Sequence, residues 1–464
     1  MATAEKTLEG DLVQAQDQNP KPEIEQPYPA ARYAWYVVGV LTLIYVFSFI
    51  DRQILNLLVA PIRRDLAISD TQMSLLMGFS FAVFYTFFGI ILGRMADTGS
   101  RRLLIGVGLV VWSLMTAACG LANSFSALLV FRIGVGIGEA SLGPAAYSMI
   151  SDYFAPERRA TAMSVYSMGI YLGSGIAYLL GGLVVAFASR QEAYVLPLIG
   201  DMRPWQLIFF LVGFPGIAVA LLMFTVREPV RRGVKAKTSG ERTMRETWKH
   251  IGANKNTIFC HNLGIALLTM ATYGTAAWLP TFFVRTHGWT AGQIGVSLGI
   301  VVIIFGTLGV ALGGRIADKL AARGLKDANL RVALYSILLA IPFVIAYPLI
   351  ADSRVAFAVY IPTAFLTSVP IGVAAAALQQ IMPNEMRGQA TALYFFVINF
   401  LGLGLGPTLI ALMTDYAFKN DNSIYLSLSI VCGVTLILSA ALLAFGLKPY
   451  RRSLQLMAER QTSL

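Results

Sequence analysis

The chain has 464 residues, 56% hydrophobic and 13% charged, against about 25% charged in a soluble domain. Apolar runs of about 20 residues, the length that crosses a ~30 Å hydrocarbon core, recur along it, so a soluble globular protein is excluded and a polytopic, all-α membrane protein is expected. The net charge of +11 does not point to nucleic acid, because the basic residues gather in alternate loops, which is the orientation pattern of a membrane protein.

Residues 1–33 are rich in Pro, Gln and Glu and lack an apolar h-region. They read as a disordered cytoplasmic tail, neither signal peptide nor helix. Six spans follow, near 34–59, 72–94, 102–121, 127–150, 160–187 and 205–226, forming a first bundle over 34–226. The polar stretch 227–256 carries nine Lys and Arg and reads as a cytoplasmic linker. Six more spans, near 257–284, 291–314, 330–350, 354–380, 388–413 and 425–447, form a second bundle over 257–450, before a cytoplasmic tail at 451–464. With both termini inside, the inner segments hold 27 basic residues and the outer loops 7, so both termini are expected in the cytoplasm. The absence of an Asn-x-Ser/Thr sequon fits a multi-pass protein of a bacterial inner membrane.

The halves repeat. Gly93-Arg94-Met95-Ala96-Asp97 ends the second span, and Gly314-Arg315-Ile316-Ala317-Asp318 ends the eighth. Pro156-Glu157-Arg158-Arg159-Ala160-Thr161-Ala162 opens the fifth span, and Pro383-Asn384-Glu385-Met386-Arg387-Gly388-Gln389-Ala390-Thr391-Ala392 opens the eleventh. Duplicated halves with a site between them are a transporter plan.

With these motifs the chain resembles the major facilitator superfamily, two pseudo-symmetric six-helix bundles. Gly93-x-x-x-Asp97-x-x-x-Arg101-Arg102 matches the loop signature of that family after its second helix. The resemblance implies a conformational latch, in which Asp97 meets guanidinium groups such as Arg158 or Arg159. That contact steadies the outward-facing state and breaks when the cytoplasmic side opens; Asp318 marks the repeated position. Narrower still, Phe49-Ile50-Asp51-Arg52 and Arg132-Ile133-Gly134-Val135-Gly136-Ile137-Gly138-Glu139-Ala140-Ser141 resemble the spinster family, linked to movement of lysolipids and sphingosine-1-phosphate. The organic anion/proton symporters of the same superfamily also carry an Asp-Arg pair in the first helix and a Glu in the fourth.

Asp51, Arg52, Arg132 and Glu139 lie inside apolar spans, where a charge costs about 2.5 kcal/mol or more unless paired or facing water. Arg132 and Glu139 are seven apart and share a helix face, with Gly134, Gly136 and Gly138 letting a neighbouring helix or a ligand approach. Asp51 and Arg52 are adjacent and point about 100° apart. One carboxylate is therefore expected to face the cavity, and the arginine to pair laterally with a carboxylate such as Glu139. Arginine stays charged, so Asp51 and Glu139 are the candidate proton carriers, and Arg52 and Arg132 the groups that bind an anion or gate the carboxylates. The second half offers Tyr273 and Asn399 as polar partners and Phe282, Phe283, Phe395, Phe396 and Phe400 as apolar ones. A charged half opposite an apolar one suits an amphiphile.

Cys119, Cys260 and Cys432 share no ligand spacing, and His250, His261 and His287 lie in loops or at span edges. Neither a metal site nor a cofactor is expected, and no nucleophile–base pair of an enzyme stands out. The expectation is a monomeric, proton-coupled secondary transporter working by alternating access among membrane lipids. Its cargo is a lysophospholipid or sphingolipid-like amphiphile; the alternative is an organic anion such as a sugar acid.

Overall fold

The computed structural model describes residues 28–188, 190–191, 194–196, 200–231, 240–383 and 386–462. Most of the expected N-terminal tail, part of the linker and Asn384-Glu385 of the second repeat motif lie outside the described residues. Twelve helices are long and apolar enough to cross a membrane: Ala31–Leu57, Asp70–Thr98, Arg101–Cys119, Phe125–Tyr153, Thr161–Ala188, Pro204–Phe224, Lys255–His287, Ala291–Ala322, Ala328–Leu349, Ser353–Gln380, Gln389–Phe418 and Asp421–Glu459. They are numbered below as first to twelfth span. A short hairpin, Tyr194–Leu196 against Gly200–Met202, joins the fifth and sixth.

Several helices begin where the sequence provides a cap. Ser100 accepts from the Leu103 N–H, Ser124 from the Ala127 N–H, and Asp352 from the N–H groups of Arg354 and Val355, each satisfying donors that a helix start leaves open. The interruptions are less regular. The fourth span breaks at Ala140 and Ser141, immediately after Glu139. The second, eighth and eleventh spans each contain a π-helical turn, at Leu75–Phe79, Val302–Gly306 and Ile398–Leu405, a local widening often found at functional positions. The Gly402–Gly406 stretch therefore does distort the eleventh span. Pro362 and Pro370 lie inside the tenth span, yet Ser353–Gln380 stays one continuous α-helix.

The last helix runs on through Thr462, past the tail boundary expected at 451. Its polar end is amphipathic. Tyr450 is buried and donates to the Ala377 carbonyl, and Ser453 is hydrogen-bonded to Thr257, while Arg451 and Arg452 stay exposed. The linker also holds a helix, Gly240–Ala253.

The halves meet along the fifth and eighth spans, backbone against backbone. A Cβ on Gly299 would lie 2.7 Å from the Gly175 carbonyl oxygen, and one on Gly295 2.7 Å from that of Tyr178. Among the described residues, polar contacts join the halves from mid-span to the end of the bundle opposite the termini, here the far end. Arg285 pairs with buried Asp70 at 2.6 Å, Arg63 with Asp421 at 2.7 Å, and Thr71 donates to Asp415 at 2.7 Å. Asn56 and Tyr178 of the first half both donate to the Ala276 carbonyl of the second.

Candidate functional site

The four in-span charges converge. Arg52 Nη2 lies 2.5 Å from Glu139 Oε2, its Nε donates to the same oxygen at 2.6 Å, and Ser48 donates there at 2.8 Å. Aromatic rings flank the guanidinium, with the centroids of Phe49, Phe81 and Tyr85 at 5.1, 4.5 and 5.0 Å, which suits a desolvated cation. Arg132 is fully buried and donates to the carbonyl oxygens of Leu76 and Asp51 at 3.3 and 3.2 Å. The Asp51 side chain points the other way, towards Trp112 and Thr116 of the third span. Lateral pairing of an arginine with Glu139 is thus present, and adjacent Asp51 and Arg52 diverge as helix geometry requires.

The glycines of the fourth span admit helices. A Cβ on Gly134 would strike Met115, one on Gly136 would crowd Phe81, and one on Gly138 would lie 2.8 Å from Trp112 Cβ. Of the two readings of that stretch, close helix approach is the one realised here. It draws the third and second spans against the charged residues.

A small cavity, about 30 Å³, opens between the halves, with Phe49, Arg52 and Gln53 on one side and Tyr273, Leu403 and Pro407 on the other. It has room for one or two waters. Tyr273 lines this cavity from the second half. Asn399 is half-buried in the distorted eleventh span and does not line this cavity. Contrary to the expectation that a carboxylate faces the cavity, neither Asp51 nor Glu139 does so: Arg52 stands in front of Glu139, and Asp51 is turned into the first bundle and only 2% exposed.

At the end carrying the termini, Gly93 packs near Pro144, while Asp97 and Asp318 are exposed and form no ion pair among the described residues. The expected Asp97 contact with Arg158 or Arg159 is not made in this conformation; Arg158 is exposed and Arg159 half-buried. Arg101 of the same signature is fully buried instead, with Asp152 at 2.5 Å and Glu228 at 2.8 Å. Glu228 also accepts from the Arg102 N–H at 2.9 Å and from Ser100 at 3.1 Å. Burial works to raise the Glu228 pKa, but the Arg102 N–H, the Arg101 guanidinium and Ser100 outweigh it and hold the carboxyl below its ordinary value. Arg102 further donates to the Val226 carbonyl.

Sequence reasoning missed Asp70, Arg285, Asp152, Glu228, Trp112 and Thr116. A signal for the first pair is present in the sequence: basic Arg63 and Arg64 lie in an outer loop, where few basic residues are expected. The oxygens of Asp70, Asp415 and Asp421 lie within 4.8 Å of one another, yet Arg63 and Arg285 supply their counter-charge.

Two six-span bundles closing over an internal charged site define a membrane transporter. The chain belongs to the Major Facilitator Superfamily, whose family model matches residues 41–407. It is similar to an MFS-type efflux pump of Mycolicibacterium smegmatis, 29% identical over 83% of this chain and 85% of that one. A hexuronate transporter of Bacillus subtilis is 26% identical over 82% and 87%, and protein spinster homolog 3 of Danio rerio 28% over 84% and 79%. Among solved structures, a bacterial homologue of the human lysosomal transporter spinster, inward-facing and unoccupied, superposes with a TM-score of 0.75, covering 92% of this chain and 98% of that one at 28% identity.

Proposed function

We propose that the protein is a proton-coupled secondary transporter of an anionic or zwitterionic amphiphile, a lysophospholipid or sphingolipid-like molecule, acting as a monomer in a bacterial inner membrane with both termini in the cytoplasm. The observation that carries this reading is the Arg52–Glu139 pair at the cavity wall, with Asp51 behind it and an aromatic and aliphatic wall opposite. An arriving phosphate or carboxylate competes with Glu139 for the Arg52 guanidinium. Glu139 released from its counterion, in a buried site, takes a proton. Binding of headgroup and proton are thereby linked. Arg132, locked on two backbone carbonyls, sets the field around Asp51 rather than meeting the headgroup in this conformation. The far-end contacts between halves and the likeness to an inward-facing relative support a cytoplasm-open state, with Asp97 released from the latch. Alternating access closes that end and opens the other.

The similarity to a hexuronate transporter supports a second reading, a sugar acid moved with a proton through the same Arg52. Both are tested by reconstituting the protein in liposomes, imposing a pH step, and following lysophospholipids, sphingosine-1-phosphate and hexuronates in parallel. Lipid movement driven by the step is expected. Movement of hexuronate alone establishes the second reading, and movement indifferent to the pH step overturns proton coupling.

A further inference from the structure

Asp51 Oδ1, Trp112 Nε1 and Thr116 Oγ1 are buried atoms of the first bundle without a hydrogen-bond partner, and the indole and the hydroxyl both neighbour the Asp51 carboxyl. Trp112 and Thr116 are both fully buried, and Asp51 is 2% exposed. Unpartnered buried polar groups are costly, and three together call for a reason. Their chemistry supplies one. A charged carboxylate only accepts, an indole N–H only donates, and a threonine hydroxyl can donate.

The placement is built into the helices. Residues 112 and 116 are four apart on the third span and share a face. The third and fourth spans touch at their backbones there: a Cβ on Gly138 would lie 2.8 Å from Trp112 Cβ and 2.9 Å from the Gly108 carbonyl oxygen. The last glycine before Glu139 therefore seats the indole beside Asp51. The other ionisable groups that bear on Asp51 are Glu139 and Arg132 from the fourth span and Cys119 from the third. The Arg52 guanidinium on its own helix is engaged by Glu139.

We propose that Trp112 and Thr116 are positioning residues for proton coupling: they form a two-donor cradle for the deprotonated carboxylate of Asp51, made when the proton leaves and released when it returns. Because the donors lie on the third span and the carboxylate on the first, the proton state of Asp51 sets how closely these spans approach. This rests on the reading of Asp51 as a proton carrier and adds the residues that tune it.

The test is infrared difference spectroscopy of the reconstituted full-length protein through a pH titration, with the Asp51 carboxyl band assigned by its loss in Asp51→Asn. The variants are Thr116→Val, which keeps the shape and removes the donor, Trp112→Phe, and Thr116→Ser, which restores a hydroxyl. Thr116→Val and Trp112→Phe should each move the titration midpoint of the band up by about one pH unit, a tenfold gain in proton affinity. Thr116→Ser should bring it back, and the pH profile of transport should follow. A band that titrates in the wild type with the same midpoint in Thr116→Val overturns the cradle and leaves the proton carrier standing. A wild-type Asp51 band that does not titrate overturns both. Should Trp112→Phe fail to fold, the nearly isosteric Thr116→Val carries the test.

Discussion

At the scale of single residues, the Arg52–Glu139 pair carries the largest energetic stake. Glu139 is held away from water at 1% exposure while Arg52 reaches the cavity wall, and removing one partner of a buried pair costs about 3–5 kcal/mol because the other is left uncompensated. Glu139→Gln should therefore lower the thermal unfolding midpoint in detergent. Combining it with Arg52→Gln should cost less than the two single changes added together, and strict additivity would show that the contact does not couple them. Asp51→Asn should behave differently. Its Oδ1 has no hydrogen-bond partner in this conformation, so pH-driven transport should be lost while the unfolding midpoint stays near that of the wild type; a wild-type response to a pH step would show that Asp51 carries no coupling proton. Glu228, outside the spans, adds a pH dependence of its own. Its pKa lies below the ordinary glutamate value of about 4.3, so the stability it contributes is present above that value and lost as pH falls through the lowered one. Glu228→Gln should flatten the acid side of the stability curve, read by unfolding midpoints across pH.

At the scale of elements, the spans were legible because length and apolarity suffice to find them, and the repeated Gly-Arg-x-Ala-Asp motif placed the two halves. The Arg52–Glu139 pairing was also legible, since a charge inside a span must find a partner and few were on offer. Distortions within spans were harder to read: the break after Glu139 and the π-turns depend on packing against other helices, which composition does not report. The far-end contacts were hidden for a related reason. Asp70 and Arg285 are 215 residues apart in the chain, and only the docking of the two bundles makes them neighbours. Asp70 is fully buried and takes Arg285 through both oxygens, at 2.6 and 2.7 Å, with Arg63 at 3.0 Å. It ties these two arginines together across the halves. Asp70→Asn should favour opening of the far end, and a coupling of about 1–3 kcal/mol would shift that equilibrium about 5- to 150-fold. Distances between spin labels flanking the far mouth would report the change; an unaltered distribution would mean that this end is held shut without Asp70, by the Arg63–Asp421 and Thr71–Asp415 contacts and the glycine contacts of the fifth and eighth spans.

At the scale of the whole molecule, the two ends of the bundle differ in how they are held. The far end carries ion pairs between halves. At the other end Asp97 and Asp318 stand exposed and unpaired among the described residues, and the signature arginine is turned inward to Asp152 and Glu228. A latch residue without a partner contributes nothing to the conformation in which it is free, so its energy belongs to the alternative state. Asp97→Asn should then leave the unfolding midpoint of the present conformation unchanged, because no contact in it is lost. The substitution should instead destabilise the state closed at this end, enriching the present one by about 5- to 150-fold if the latch is worth about 1–3 kcal/mol. Transport should slow, since every cycle must pass through the closed state, while equilibrium binding to the present state should be intact or slightly tighter. Pairs of cysteines introduced across each mouth, cross-linked in turn, would measure the populations. Should Asp97→Asn abolish ligand binding with the cross-linking ratio unmoved, Asp97 would belong to the cargo site, and the switching of this end would have to rest on Arg101 and its carboxylates alone.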